Sequence, residues 1–73
     1  MSDITVYTKR VCPQCDQTKR MLNRQNVTYS EVRVDTDPQA VEELKQLGFM
    51  QVPVVVTPNE TWSGFRYDKL RTL

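Results

Sequence analysis

Cys12-Pro13-Gln14-Cys15 holds the only two cysteines of the 73-residue chain, three positions apart. Its flanks say where in a fold the pair stands. Ile4-Thr5-Val6-Tyr7-Thr8 is a short run of β-branched and aromatic residues, the pattern of a central strand buried on both faces of a helix-covered sheet. After the motif, Asp16 to Gln25 sets Thr18, Met21, Leu22 and Gln25 at three- and four-residue spacing, with Gln17, Lys19, Arg20, Asn23 and Arg24 on the outer face, as an amphipathic helix does. The cysteines therefore belong at a strand-to-helix junction. There the unpaired N–H groups and the positive end of the helix dipole favour a thiolate by about 0.3–2 kcal/mol. Cys12 is so placed, which makes it the candidate nucleophile, and Cys15, one turn on, is the candidate resolving thiol. Pro13 suits the first helical turn and removes one possible donor to the Cys12 sulfur.

Other uses of two cysteines are weighed against this one. A disulfide closing a four-residue loop constrains the unfolded chain by only about 2 kcal/mol, a weak structural staple. A zinc or iron–sulfur site needs four ligands, and the chain has no further cysteine and no histidine, which leaves a dimer sharing the metal as the metal-binding alternative. A C-x-x-C beside a β-α-β pattern in a cytosolic chain is otherwise expected to be redox-active.

Composition narrows the class. A chain of 73 residues makes one small domain that buries about 60% of its unfolded surface. With 38% hydrophobic residues, 26% charged residues and a net charge of +1, neither disorder nor nucleic-acid binding is expected. No stretch approaches a membrane span, and Met1-Ser2-Asp3-Ile4 opens no signal-length apolar run, so a cytoplasmic protein with no membrane association is expected. In that reducing setting a thiol pair that forms a disulfide is expected to be catalytic.

Lys9 and Arg10, just before the cysteines, read either as solvated loop residues or as cations that lower the Cys12 pKa and meet an acidic partner surface. Val27 to Val34 alternates as a second strand, joined to the first by a right-handed crossover with its helix ending near Gln25-Asn26. Thr36-Asp37-Pro38 starts a second helix, with Val41, Leu44 and Leu47 as its buried stripe and Gly48 as its stop. Phe49 to Pro53 leads into a buried strand, Val54-Val55-Val56, and Thr57-Pro58-Asn59-Glu60 turns into a fourth, Thr61-Trp62-Ser63. Gly64 allows a bend into a terminal helix within Phe65 to Leu73 that buries Phe65, Leu70 and Leu73. For the Cys15 proton, Asp16 reads as a solvated helix residue, which leaves Tyr7 or water.

The resulting order, β-α-β-α-β-β-α, with C-x-x-C at the first strand-to-helix junction and a proline before the third strand, resembles the glutaredoxin branch of the thioredoxin superfamily over the whole chain. Within that branch, Tyr7-Thr8-Lys9, Gln14, Val52-Pro53-Val54-Val55 and Trp62-Ser63-Gly64-Phe65-Arg66 are similar to the NrdH-redoxins, which have a glutaredoxin-like sequence and behave like thioredoxins. The resemblance implies a single α/β domain over residues 1–73 with a thioredoxin fold, a four-stranded mixed sheet flanked by helices. It implies a monomeric dithiol/disulfide carrier with no bound cofactor or metal, reduced by thioredoxin reductase and donating electrons to class Ib ribonucleotide reductase. It also implies a cis Val52-Pro53 bond that turns the Val52 backbone toward a substrate segment, with Pro13 and Gln14 in the motif beside it. Lys9, Arg10, Trp62, Ser63, Gly64, Phe65 and Arg66 become candidates for partner recognition, Trp62 and Phe65 also being suited to core packing. Pro13 and Tyr67 depart from the family pattern, where Val or Met and Pro are usual. Pro13 gives the C-P-x-C form of glutathione-linked glutaredoxins, so a glutathione-dependent activity is the alternative. Against it, Ser63-Gly64-Phe65-Arg66 replaces the glycine-pair-and-aspartate segment that helps those proteins hold the tripeptide.

Overall fold

Thr5–Thr8 (β1) takes the central place expected of it in the computed structural model, which describes residues 3–73. Met1 and Ser2, on which the leader argument and the start of the domain partly fell, lie outside the described residues. After β1 come Pro13–Arg24 (α1), Ser30–Arg33 (β2), Pro38–Leu47 (α2), Val54–Val56 (β3), Thr61–Ser63 (β4) and Tyr67–Leu70 (α3). The sheet runs β2-β1-β3-β4, with β1 parallel to β2 and antiparallel to β3, and β3 antiparallel to β4. This is the mixed four-stranded sheet that the resemblance implies.

Alternation along the strands divides the core between two faces. Val6 and Val55 join Trp62, Leu22 of α1 and Leu70 of α3 in one buried cluster, while Tyr7 and Val54 join Ala40 and Leu44 of α2 in the other. Helices thus cover both faces of β1 and β3, as their runs of consecutive buried residues require.

α1 begins at Pro13, the residue expected in its first turn, with Cys12 itself as the N-cap. Other boundaries differ from those expected. β2 is confined to Ser30–Arg33, since a strand paired on one side only can bond no further than β1 reaches. In α2 the stripe is Ala40 and Leu44, and Val41 and Leu47 are exposed. The four-residue step from Ala40 to Leu44 holds one side of the helix on the sheet, and that rotation carries Val41 outward. Leu73 is also exposed, because α3 stops at Leu70. The caps follow the sequence closely: Asp37 accepts from the Gln39 N–H at 3.1 Å, and Gly48 ends α2 in the left-handed region at φ 90°.

The strand directions fix where chemistry can occur. β1 and β2 end, β3 begins and β4 ends at one pole of the sheet, so the Cys12 loop, Val52-Pro53 and Ser63-Gly64 converge there. The exposed β3–β4 turn, closed by the Thr57 N–H to Glu60 C=O bond of 2.9 Å, lies at the other.

A polar tie joins α1 to the edge strand. The fully buried Thr8 hydroxyl donates to Glu31 Oε2 at 2.7 Å, and Lys19 Nζ reaches the same oxygen at 3.0 Å. The Thr8 bond, then Lys19, holds the Glu31 carboxyl below its ordinary range although its partial burial opposes this. A carboxylate whose folded pKa is depressed stabilises the fold above its unfolded pKa and loses that contribution as pH falls through the folded value. Thr8→Val should therefore cost about 1 kcal/mol in urea unfolding at neutral pH. The gap from the parent should narrow as Glu31 protonates in acid.

Candidate functional site

The end of β1, the start of α1, the segment before β3 and the segment after β4 build one site. Helix α1 starts immediately after Cys12, whose extended backbone (φ −153°) turns its sulfur over the first helical turn, where Sγ accepts the Cys15 N–H at 3.1 Å. Cys12 and Cys15 are joined by a disulfide, with an S–S distance of 2.15 Å and a Cα–Cα distance of 5.2 Å. The two sulfurs are not equivalent. Cys12 retains 6% exposure and Cys15 none, so solvent and partners reach only the first.

Pro13 and Gln14 are exposed at the mouth of the motif. The Gln14 carbonyl accepts the hydroxyl of buried Thr18 at 2.9 Å, pinning the first turn. The Val52–Pro53 bond is cis, as the resemblance implies. Pro53 is buried, its carbonyl accepts the Gly64 N–H at 2.8 Å, and neither the N–H nor the C=O of Val52 has a protein partner among the described residues. An extended chain passing Cys12 thus finds one free donor and one free acceptor. Gly64 stands at φ 82°, and a Cβ there would find Gln14 Oε1 at an ordinary 3.8 Å. The backbone conformation, not lack of room, calls for glycine.

An open groove of about 620 Å³ runs from Cys12 past Val52 to α2. Lys9, Val11, Val41, Lys45, Phe49 and Met50 are among its lining residues. Of these only Lys9 was singled out from the sequence as a site residue. The signal available for Val41 was misleading, since it matched the buried stripe of α2. For Met50 it was an apolar side chain in a short segment between helix and strand. Arg10 is exposed, and its N–H donates to Asp35 Oδ2 at 3.2 Å, which anchors the cysteine loop to the end of β2.

The candidates after β4 divide. Ser63 is half-buried opposite Val54. Phe65 packs partly on the Leu22 and Leu70 cluster and partly lines a shallow depression beside α1. Arg66 is exposed, its guanidinium engaged by both Asp68 oxygens at 3.1 and 3.0 Å. That pair holds Asp68 below and Arg66 above their ordinary pKa values. Trp62 corrects the expectation of a partner-facing indole, for it is 4% exposed and belongs to the core. Its ring faces inward because it lies opposite Val55 on the α1 side of the sheet. Trp62 Nε1 has no hydrogen-bond partner among the described residues, while Lys69 Nζ, which also meets Glu60, stands 5.7 Å from the ring centroid. Tyr7 is no acceptor for the Cys15 proton, since its hydroxyl donates to Glu43 Oε2 at 3.0 Å on the α2 side of the sheet. Burial, then Glu43, pushes that hydroxyl above its ordinary pKa. No three metal-ligating side chains gather among the described residues.

A disulfide between residues i and i+3 at the start of the first helix of such a sheet defines a thiol–disulfide redox protein. The glutaredoxin family model matches residues 4–62. The chain is 41% identical over 70 residues to the glutaredoxin-like protein NrdH of Escherichia coli K12, covering 96% of this chain and 86% of that one. It is 34% identical to the NrdH protein of Lactococcus lactis subsp. cremoris, covering 96% and 97%. The solved structure of E. coli NrdH-redoxin superposes with a TM-score of 0.91 over 96% of this chain and 92% of that one, at 41% identity. The chain belongs to the glutaredoxin family, among its NrdH-type glutaredoxin-like proteins. Among the described residues no helix is long and apolar enough to cross a membrane.

The placement of Trp62 and Arg66 separates structure from surface. Trp62→Ala should lose about 3–5 kcal/mol. Arg66→Ala should leave the unfolding midpoint close to that of the parent, both measured by urea unfolding.

Proposed function

We propose that this protein is a cytoplasmic dithiol/disulfide electron carrier, reduced by a thioredoxin reductase and donating electrons to class Ib ribonucleotide reductase. The observation that carries the proposal is the asymmetry of the two sulfurs: Cys12 at the helix start, reachable and hydrogen-bonded to the Cys15 N–H, and Cys15 sealed behind it.

In the reduced form that N–H and the helix start stabilise a Cys12 thiolate. The thiolate attacks one sulfur of the target disulfide, forming a mixed disulfide while the other target sulfur leaves as a thiolate. Cys15 then gives its proton to the target thiolate released in the first step and attacks the Cys12 sulfur, which expels the second target thiolate and closes the Cys12–Cys15 bond. The carrier, starting as a Cys12 thiolate and a Cys15 thiol, loses two electrons and one proton, and the target takes them up to become one thiol and one thiolate. A flavoprotein reductase reverses this, so the chain needs no tightly bound cofactor. During exchange Val52 offers its free N–H and C=O to the target's backbone, and Pro53 and Gly64 hold that segment beside Cys12.

The choice of reductant is supported from two sides. The E. coli relative's structure is described as the basis of a thioredoxin-like activity profile in a glutaredoxin-like protein. In this chain Arg66, the cation after β4 that a small carboxylate ligand would use, is engaged by Asp68. Pro13 favours the second reading, a glutathione-linked glutaredoxin.

Reduction of the oxidised protein by NADPH and thioredoxin reductase should be fast, and reduction by glutathione with glutathione reductase slow. The opposite ranking would move the chain to the glutathione-dependent class. Cys15→Ser should accumulate mixed disulfides with oxidised targets on non-reducing gels and Cys12→Ser should not. Equal trapping by both would overturn the assignment of attacking and resolving sulfur.

A further inference from the structure

The groove beside the disulfide has a chemical character that electron transfer alone does not require. Its lining includes two lysines, Lys9 and Lys45, and no aspartate or glutamate. Lys9 has no carboxylate partner among the described residues, and Lys45 has only a loose pair with Glu42 at 3.8 Å, both side chains more than half exposed. The chain as a whole carries ten cations and nine carboxylates, so a groove with cations alone is a local departure from an almost balanced surface. Apolar groups stand with them: Val11 is 78% exposed, Met50 81%, and Val41 has been turned outward by the seating of α2. Along one side, the Val52 N–H and C=O are free to extend a strand.

Resting on the exchange reading above, we propose that this groove selects protein disulfides whose cysteine lies in an extended segment carrying apolar residues and flanking carboxylates. The Val52 backbone fixes the direction of that segment, and Val11, Val41 and Met50 receive its apolar side chains. Lys9 and Lys45 meet its carboxylates from two sides. Attraction between unlike charges acts first on the rate of encounter, so the preference should appear at low salt and fade as salt rises. Oxidised glutathione supplies carboxylates but no apolar side chains, so it leaves Val11, Val41 and Met50 uncovered and gains less than a peptide does.

The test uses protein reduced with dithiothreitol and freed of it, so no reductase enters. Three peptides of one leucine-containing sequence carry a single cysteine blocked as its thionitrobenzoate mixed disulfide, with glutamate, glutamine or lysine at the flanking positions. Release of thionitrobenzoate is followed for each and divided by the same peptide's rate with dithiothreitol, which removes differences in intrinsic reactivity. The glutamate peptide should react roughly threefold to tenfold faster than the glutamine peptide, and the lysine peptide slowest. Lys9→Gln and Lys45→Gln should each reduce the ranking and the double variant should abolish it, while Arg24→Gln, at the far end of α1, should leave it intact. Equal rates for the three peptides would overturn the charge preference and leave the exchange reading standing. So would a ranking that survives in the double variant, or oxidised glutathione outrunning every peptide. Sedimentation showing a dimer at assay concentration would assign the groove to a second copy and also overturn the proposal. If no peptide reacts faster with the protein than with dithiothreitol, the exchange reading fails as well.

Discussion

A helix that begins at Pro13 leaves the N–H groups of its first turn without carbonyl partners, and one of them, that of Cys15, meets the Cys12 sulfur at 3.1 Å. Much of the molecule serves to hold that geometry. The sulfur stands where serine or aspartate caps other helices, so the group that ends the helix is also the group that reacts. A cap with negative charge is a better acceptor than a neutral one, and capping and thiolate formation therefore reinforce each other. In the disulfide form the capping sulfur is also part of a covalent ring at the helix start.

The sheet makes this local arrangement useful. Because β3 runs against β1, the start of β3 lies beside the end of β1, and Val52-Pro53 is delivered to the cysteines with no long connection. Because β4 runs against β3 in turn, Gly64 arrives at the same place and its N–H fastens to the Pro53 carbonyl. Three segments distant in sequence are thus brought together by strand direction alone. The two faces of the sheet divide the remaining work: the α1 face holds Trp62, Leu22 and Leu70 behind the helix that bears the cysteines, and the α2 face offers Val41 and Lys45 to the groove.

Much of this was legible in the sequence where one residue type has one physical use. The paired cysteines, Asp37-Pro38, Gly48 and the valine run of β3 each named their element, because caps, stops and buried strands admit few alternatives. Periodicity was less reliable for rotation. Val41, Leu44 and Leu47 and the observed Ala40 and Leu44 are both helical stripes, and only the sheet against which α2 packs decides between them. Trp62 was hard for a related reason: an indole serves equally well in a core or at an interface, and its position opposite Val55 is set by register. The groove could not be read at all, since its residues come from four stretches of chain and acquire a common character only when β1 and β3 pair.

The direction of the strands also leaves the molecule with an unused end. The β3–β4 turn, closed by Thr57 and Glu60 and with Pro58 and Asn59 exposed, lies at the pole away from the disulfide. A tether, a label or a fused domain attached there would leave the cysteines facing outward and the groove open. The same geometry makes the protein suited to immobilisation on a surface through that turn, as an oriented layer of redox centres.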